Sequence, residues 1–233
     1  TSDDRGEMLR AVGAENPADL VAPVPSAPRF PELLLPDRLT EMEAADHLFE
    51  LAGRNDSVNP SRSFLGAGAY PHFVPATVDQ IVSRGEFSTA YTPYQPEVAQ
   101  GTLQTIYEFQ TMVAELLGME IANASMYDGA TALAEGALVT VSRRTGRNRV
   151  VVTGTVHPHF REVLRTYFVG QEIDLVEVPR PAGRFTLVAS DVEPFLGEEL
   201  ACLVVQYPNF FGEIEDIEQL ADVAHRAGGS LVV

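Results

Sequence analysis

Residues 149–178, RVVVTGTVHPHFREVLRTYFVGQEIDLVEV, decide the fold. Arg149–Thr153 is a short, β-branched apolar run and reads as a buried strand. Pro158–Phe168 reads as a helix, and Ile173–Val178 as the next strand. A strand, a helix and a second strand imply a right-handed crossover between parallel neighbours. The alternation continues outward. Asp191–Phe195 reads as a short helix, Ala201–Val205 as a strand, and Ile214–Ala227 as a helix that Gly228-Gly229 ends. Ser230–Val233 starts a further strand. On the amino-terminal side, a presumptive strand over Ala122–Met126 leads into Tyr127–Thr131 and a helix over Ala132–Arg143. The expected class is α/β, a mainly parallel sheet with helices on both faces. The chain stops inside its last strand, which would leave the sheet edge unfinished, so the expectation is a large domain incomplete at its carboxyl-terminal end.

Further out lies Phe87–Gln110, FSTAYTPYQPEVAQGTLQTIYEFQ. Pro93 and Pro96 disfavour helix at the residues before them, so Tyr91–Gln95 should be extended and stiff. Pro96 suits a first helical turn. Leu103, Ile106, Phe109, Val113 and Leu116 then recur at the spacing of one buried helix face, with Gly118 as the stop. Such an arm can hold hydroxyls and an amide at a pocket or interface, or it can be a loop packing its tyrosines on the body. Phe64–Pro75 is punctuated by glycine and proline and should turn into a helix over Ala76–Arg84. It is not a dinucleotide fingerprint, because Pro71 stands where the third glycine would be. Thr40 and Glu43 form a capping-box pattern for a helix over Glu41–Ala52. Residues 1–40 are rich in proline (Pro17, Pro23, Pro25, Pro28, Pro31 and Pro36) and read as an extended arm with a short helix near Arg5–Val12. The organisation expected is an arm and first helix over 1–62 and a large α/β domain over 63–233.

Composition excludes several chemistries. The formal net charge is −17, against nucleic acid or an anionic membrane as the main partner. No apolar run approaches the ~20 residues of a membrane span, and the opening residues show no secretory signal pattern. All 16 basic residues are arginine. Without lysine, these residues form no Schiff base with a carbonyl and complete no P-loop. Cys202 is the only cysteine and sits in an apolar run, as a buried core thiol would. One cysteine also fits a reducing, cytoplasmic setting.

Chemistry-bearing residues fall at the carboxyl ends of the expected strands, where parallel α/β sheets bind ligands. Asp128-Gly129-Ala130-Thr131, with Ser125 nearby, opens a helix. Its backbone N–H groups and the Thr131 hydroxyl suit a phosphate, and Asp128 equally suits a simple helix cap. His157 follows the first strand, where a ring can stack on a planar cofactor, pack, or cap. It pairs with His159, but the neighbouring sequence offers no third metal ligand, so no metal site is expected. Asn209 and Gly212 lie in the loop after Ala201–Val205. Glu213, Glu215, Asp216 and Glu218 read as a solvated acidic helix start.

Four segments carry a resemblance: FLGAGAYPHFVP, EFSTAYTPYQPEVAQGTLQTIYEFQTMVAELLGM, ANASMYDGATALAEGA and QYPNFFGEIED. Together, in this order, they resemble the glycine dehydrogenase (decarboxylating) family, the P-protein of the glycine cleavage system, and specifically its alpha chain, subunit 1. The resemblance covers most of the chain from about Asp37. It implies the pyridoxal-phosphate fold type I (aspartate-aminotransferase-like). It also implies a heteromer with a beta chain whose lysine holds pyridoxal phosphate, glycine as substrate, and the lipoylated H-protein as acceptor of the aminomethyl group. It aligns Tyr91, Thr92, Tyr94, Gln95, Pro96 and Glu97 with the family's substrate-side segment. Asp128–Thr131 matches a phosphate cup, and His157 a ring-stacking histidine, both as relics without cofactor in an alpha chain; Ser125 and Asn209 join that cofactor-side group. No catalytic residue is expected in this chain alone. The rivals are a noncatalytic scaffold or regulatory subunit, and a self-sufficient fold-type-I decarboxylase or aldolase with its lysine in a missing carboxyl-terminal half.

Overall fold

The computed structural model describes residues 1–25, 32–55, 64–68, 70–87, 91–143 and 146–233. Pro28 and Pro31 of the arm, Ser88–Ala90 of the tyrosine segment and the 62/63 boundary lie outside the described residues. The chain divides into two units, Thr1–Arg62 and Ser63–Val233.

The first unit holds helix α1 (Ser2–Ala11), a 3-10 turn over Pro17–Val21, and helix α2 (Glu41–Gly53). α2 starts as its sequence dictates. The Glu43 N–H donates to Thr40 Oγ1, while the Thr40 N–H donates to the Glu43 carboxylate at 2.8 Å. That N–H and the Thr40 hydroxyl hold the Glu43 carboxyl below its ordinary range.

The second unit is built on a four-stranded, all-parallel sheet. Its strands are β1 (Arg149–Thr153), β2 (Asp174–Val178), β3 (Leu200–Val204) and β4 (Ser230–Val232), in the order β2-β1-β3-β4. The period of two sorts the strands onto two cores. Val150, Val152, Cys202 and Val204 pack under α5 (Gly129–Ser142) and α6 (Pro158–Phe168). Val151, Leu203 and Val205 pack under α7 (Ala189–Leu196) and α8 (Ile217–Arg226). Ala134 and Ala137 let α5 lie close on the sheet, and a Cβ added at Gly136 would stand 3.8 Å from Val232. Arg147 closes the amino end of the sheet by donating to the carbonyls of Leu200 and Ala227. The expected architecture, a parallel sheet with helices on both faces, is the one found.

Four local expectations are corrected. Helix α4 spans Gln100–Leu117 and begins beyond Pro96. The N–H groups of Val98 and Ala99 close turns onto the Gln95 and Pro96 carbonyls, and the helical ladder first accepts at Ala99. Tyr91–Gln95 is not extended throughout, because the Tyr94 N–H turns back to the Thr92 carbonyl at 2.9 Å around Pro93. The apolar face of α4 has the expected period but no buried residue. Leu103, Ile106 and Val113 are half-buried and Leu116 is 84% exposed, since no described element covers it. Ala122–Met126 is not a strand. Its backbone groups go to side chains instead of a ladder: the Gln110 amide donates to the Ala122 carbonyl, and the Ser125 N–H, at φ 92, donates to Asn123 Oδ1. Gly118 does end α4, at φ 65. A shorter helix, α3 (Ala76–Val82), stands where the Ala76–Arg84 pattern places it.

Candidate functional site

The crossovers leave β1 toward β2 on one side and reach β3 on the other. The strand order therefore reverses between β1 and β3, and the crevice outside their carboxyl ends is the position at which such sheets bind ligands. Two loops line it, Gly154–His157 after β1 and Gln206–Gly212 after β3. They are tied directly: the His157 N–H donates to Gln206 Oε1 at 2.8 Å, and the Phe210 N–H to the Thr155 carbonyl at 2.9 Å.

Beneath the loops lies a buried polar network. Glu215, expected on a solvated face, is 3% exposed. One carboxylate oxygen accepts from the Thr155 hydroxyl (3.0 Å) and the Asn209 amide (2.8 Å), and the other from the Leu187 N–H (2.8 Å). The Thr153 hydroxyl extends the chain to Thr155 at 3.1 Å. The expectation failed because three donors, far apart in sequence, compensate the burial of this carboxylate. An acidic run at a helix start gives no sign of which member turns inward.

Asn209 is likewise buried and spent. Its amide donates to the Phe185 carbonyl and to Glu215, and its oxygen accepts from the N–H groups of Phe211 and Glu213. Those four bonds use its full capacity, leaving none for a ligand.

His157 caps α6. Its Nδ1 accepts from the His159 N–H at 3.1 Å, and its Nε2 lies 3.2 Å from the Ala67 carbonyl oxygen. The ring packs against Phe160 (centroids 5.1 Å apart) and edge-on to Phe210 (4.9 Å). Phe160 also meets the start of α5, where a Cβ on Gly129 would come within 3.0 Å of its ring. The expected cofactor-side residues at 128–131, 157 and 209 are thus gathered at one edge.

Tested against pyridoxal phosphate, this edge does not fit the group. Asp128 Oδ1 already accepts the Thr131 N–H at 2.8 Å, and the Thr131 hydroxyl turns back to the Asp128 carbonyl. The Thr131 N–H and hydroxyl are thus spent on the helix cap, and the Asp128 carboxylate adds a charge of the same sign as a phosphate. Ser125 is exposed and held in its own turn. Asp128 acts here as a helix cap. Replacing it with Ala should destabilise the protein by about 1 kcal/mol, the usual loss of an N-cap. Thermal unfolding measures that loss, and Asp128→Asn should recover most of it.

Tyr91, Thr92, Tyr94, Gln95 and Glu97 stand apart. Tyr91 is 94% and Tyr94 83% exposed. Among the described residues, no hydrogen bond, ion pair or ring contact joins this segment to the strand-end loops. No group of three or more His, Cys, Asp or Glu set to hold a metal occurs among the described residues. Among the described residues, no helix is long and apolar enough to cross a membrane.

Comparison with known proteins adds the family. The model of the glycine cleavage system P-protein matches residues 1–233. The chain is 56% identical over its whole length to a probable glycine dehydrogenase (decarboxylating) subunit 1 from Thermomicrobium roseum, and 49% identical to one from Geobacillus kaustophilus. It covers 52% of each, so it spans about half the length of the curated relatives it matches. Among solved structures, 99% of it superposes on 51% of a glycine decarboxylase (P-protein) of the glycine cleavage system, crystallised in inhibitor-bound form, with TM-score 0.84 and 48% identity. A Burkholderia pseudomallei sphingosine-1-phosphate lyase, at 16% identity and TM-score 0.59, shares the fold.

Proposed function

The chain belongs to the glycine cleavage system P-protein family, and we propose that it is part of the subunit of a heteromeric glycine decarboxylase that does not itself hold the cofactor. In this reading it supplies structure and one wall of an active site whose pyridoxal phosphate is held by a lysine of the partner beta chain. The substrates are glycine and the lipoyl arm of the H-protein, and the setting is cytoplasmic. The cofactor supplies the electron sink for loss of the glycine carboxylate. The residues of this chain orient and enclose. The phenols of Tyr91 and Tyr94, the Thr92 hydroxyl and the Gln95 amide are donors suited to a carboxylate or to the lipoyl group, and Glu97 adds an acceptor.

One observation carries the reading. Tyr91 and Tyr94 are almost wholly exposed on a segment stiffened by Pro93 and Pro96, at the foot of a helix whose apolar face is also open. Aromatic residues presented in this way, with no internal partner among the described residues, are the composition of a surface completed by another body. The absence of lysine from these 233 residues agrees with a cofactor bound elsewhere.

The test uses the full-length protein reconstituted with its partner. Tyr94→Phe and Gln95→Ala should each lower kcat/KM for glycine–bicarbonate exchange about 10- to 100-fold, the loss for one hydrogen bond to a charged group. A second reading, a noncatalytic scaffold, is favoured by the internal engagement of Asp128, His157 and Asn209. Exchange and H-protein aminomethylation both unaffected by the two substitutions would establish it in place of the first.

A further inference from the structure

We propose that His157 is a positioning residue that latches the turn at residues 64–68 onto the carboxyl edge of the sheet, and is not a ring left free for a planar ligand. Its two nitrogens have incompatible partners unless the ring is in one form. Nδ1 receives the His159 N–H and so carries no proton, whereas Nε2 faces a carbonyl oxygen, which only accepts, and so carries one. The Nε2–H tautomer satisfies both contacts. The backbone N–H of His157 is held by Gln206, and Phe160 and Phe210 hold the ring. An imidazole fixed on all these sides is a rigid donor aimed at Ala67.

The other half of the latch is unusual in its own right. Gly66, Ala67 and Gly68 are three successive residues with positive φ, at 60°, 54° and 93°. Glycine enters this region freely, but alanine does not, and a non-glycine residue persists there when its surroundings over-determine it. The surroundings include the His157 contact, 90 residues away in sequence. Among the described residues, no other hydrogen bond ties 64–75 to the strand ends. The latch thus brings to the crevice a segment bearing exposed Phe64, Tyr70 and Phe73. Resting on the wall reading of the proposed function, the latched segment is a second part of that wall, beside Tyr91–Glu97.

Asparagine and glutamine separate the two nitrogens. Asn carries its oxygen where Nδ1 stands, and Gln carries its amide where Nε2 stands. The experiment compares His157→Asn and His157→Gln in the full-length protein with its partner, by limited chymotrypsin cleavage at Phe64 and Leu65, melting temperature and steady-state kinetics. His157→Asn should keep the α6 cap and the melting temperature. It should speed cleavage within 64–68 about five- to tenfold, the change in local opening that loss of one hydrogen bond supplies. His157→Gln should do the converse, restoring the native cleavage rate there while the melting temperature falls by a few degrees with the lost cap. Equal cleavage in both variants and the native protein, or faster cleavage spread evenly over the chain, overturns the latch. The wall reading is judged separately: it expects a raised KM for glycine in His157→Asn and recovery in His157→Gln. Fast local cleavage with an unchanged KM keeps the latch and removes the segment from the wall.

Discussion

Glu215→Ala is expected to lower the melting temperature of the full-length protein by roughly 10 °C. The estimate follows from what the substitution strands. The Asn209 amide, the Leu187 N–H and the Thr155 hydroxyl all point at the missing carboxylate, in a site that water reaches poorly. A buried donor left without a partner costs about 1–3 kcal/mol. The Thr155 hydroxyl can turn toward Thr153, so the combined loss is about 3–5 kcal/mol. Each kcal/mol moves the midpoint by about 2–4 °C for a domain of this size. Glu215→Gln separates charge from shape. Its NH2 must face at least one donor, either Leu187 N–H or Asn209 Nδ2, so it loses about 1–3 kcal/mol. The damage is also local to function, since Asn209 organises the loop after β3 through four bonds. Differential scanning calorimetry of the three proteins checks the order native, Gln, Ala. A glutamine variant as stable as native would mean that the carboxylate is not needed where it lies.

Gly154→Ala separates the ends of β1 and β2. An added Cβ would stand 2.9 Å from the Val178 carbonyl oxygen and 3.0 Å from the Arg180 nitrogen. Both are backbone atoms and cannot rotate away, so one strand end must move. The Gly154 N–H already donates to that same carbonyl at 2.8 Å, so the movement also weakens a hydrogen bond. Overpacking of this type destabilises by about 1–3 kcal/mol, and the lost bond adds about 1 kcal/mol. Three residues on, His157 would lose its register with Gln206 and Ala67. The expected result is a melting temperature lower by roughly 5–10 °C together with faster chymotrypsin cleavage within 64–68, a pairing that a purely global loss of stability would not give. Unchanged stability would show that the β1 and β2 ends are free to part.

The sheet was legible because its signals are local. Arg149–Thr153 and Leu200–Val204 are continuous apolar strands, and α6 and α8 carry their apolar residues at helical spacing on one face. The Thr40 capping box and the Gly118 stop were readable for the same reason, since each is completed within a few residues. A strand over 122–126 is supported only by its place in the alternation; Ala, Asn and Ser have little strand preference, and here side chains take the backbone groups. The burial of the α4 face was misread because periodicity reports which side is apolar, not whether anything covers it.

The site divides along the same line. The family, the absence of lysine and the candidate positions Tyr91–Glu97, Asp128–Thr131, His157 and Asn209 follow from residue identity and order alone. What those residues do in the folded chain was decided by contacts across long sequence separations. Glu215 meets Thr155 from 60 residues away, and His157 meets Ala67 from 90. A hydrogen bond between distant residues depends on the geometry of every element between them, and no local pattern encodes it. Residue identity and order therefore determined that this chain is an α/β member of its family with no lysine of its own. Only the tertiary structure decided that its acidic helix start hides a buried anchor, that Asn209 and Asp128 are engaged internally, and that its strand-end histidine grips its own backbone.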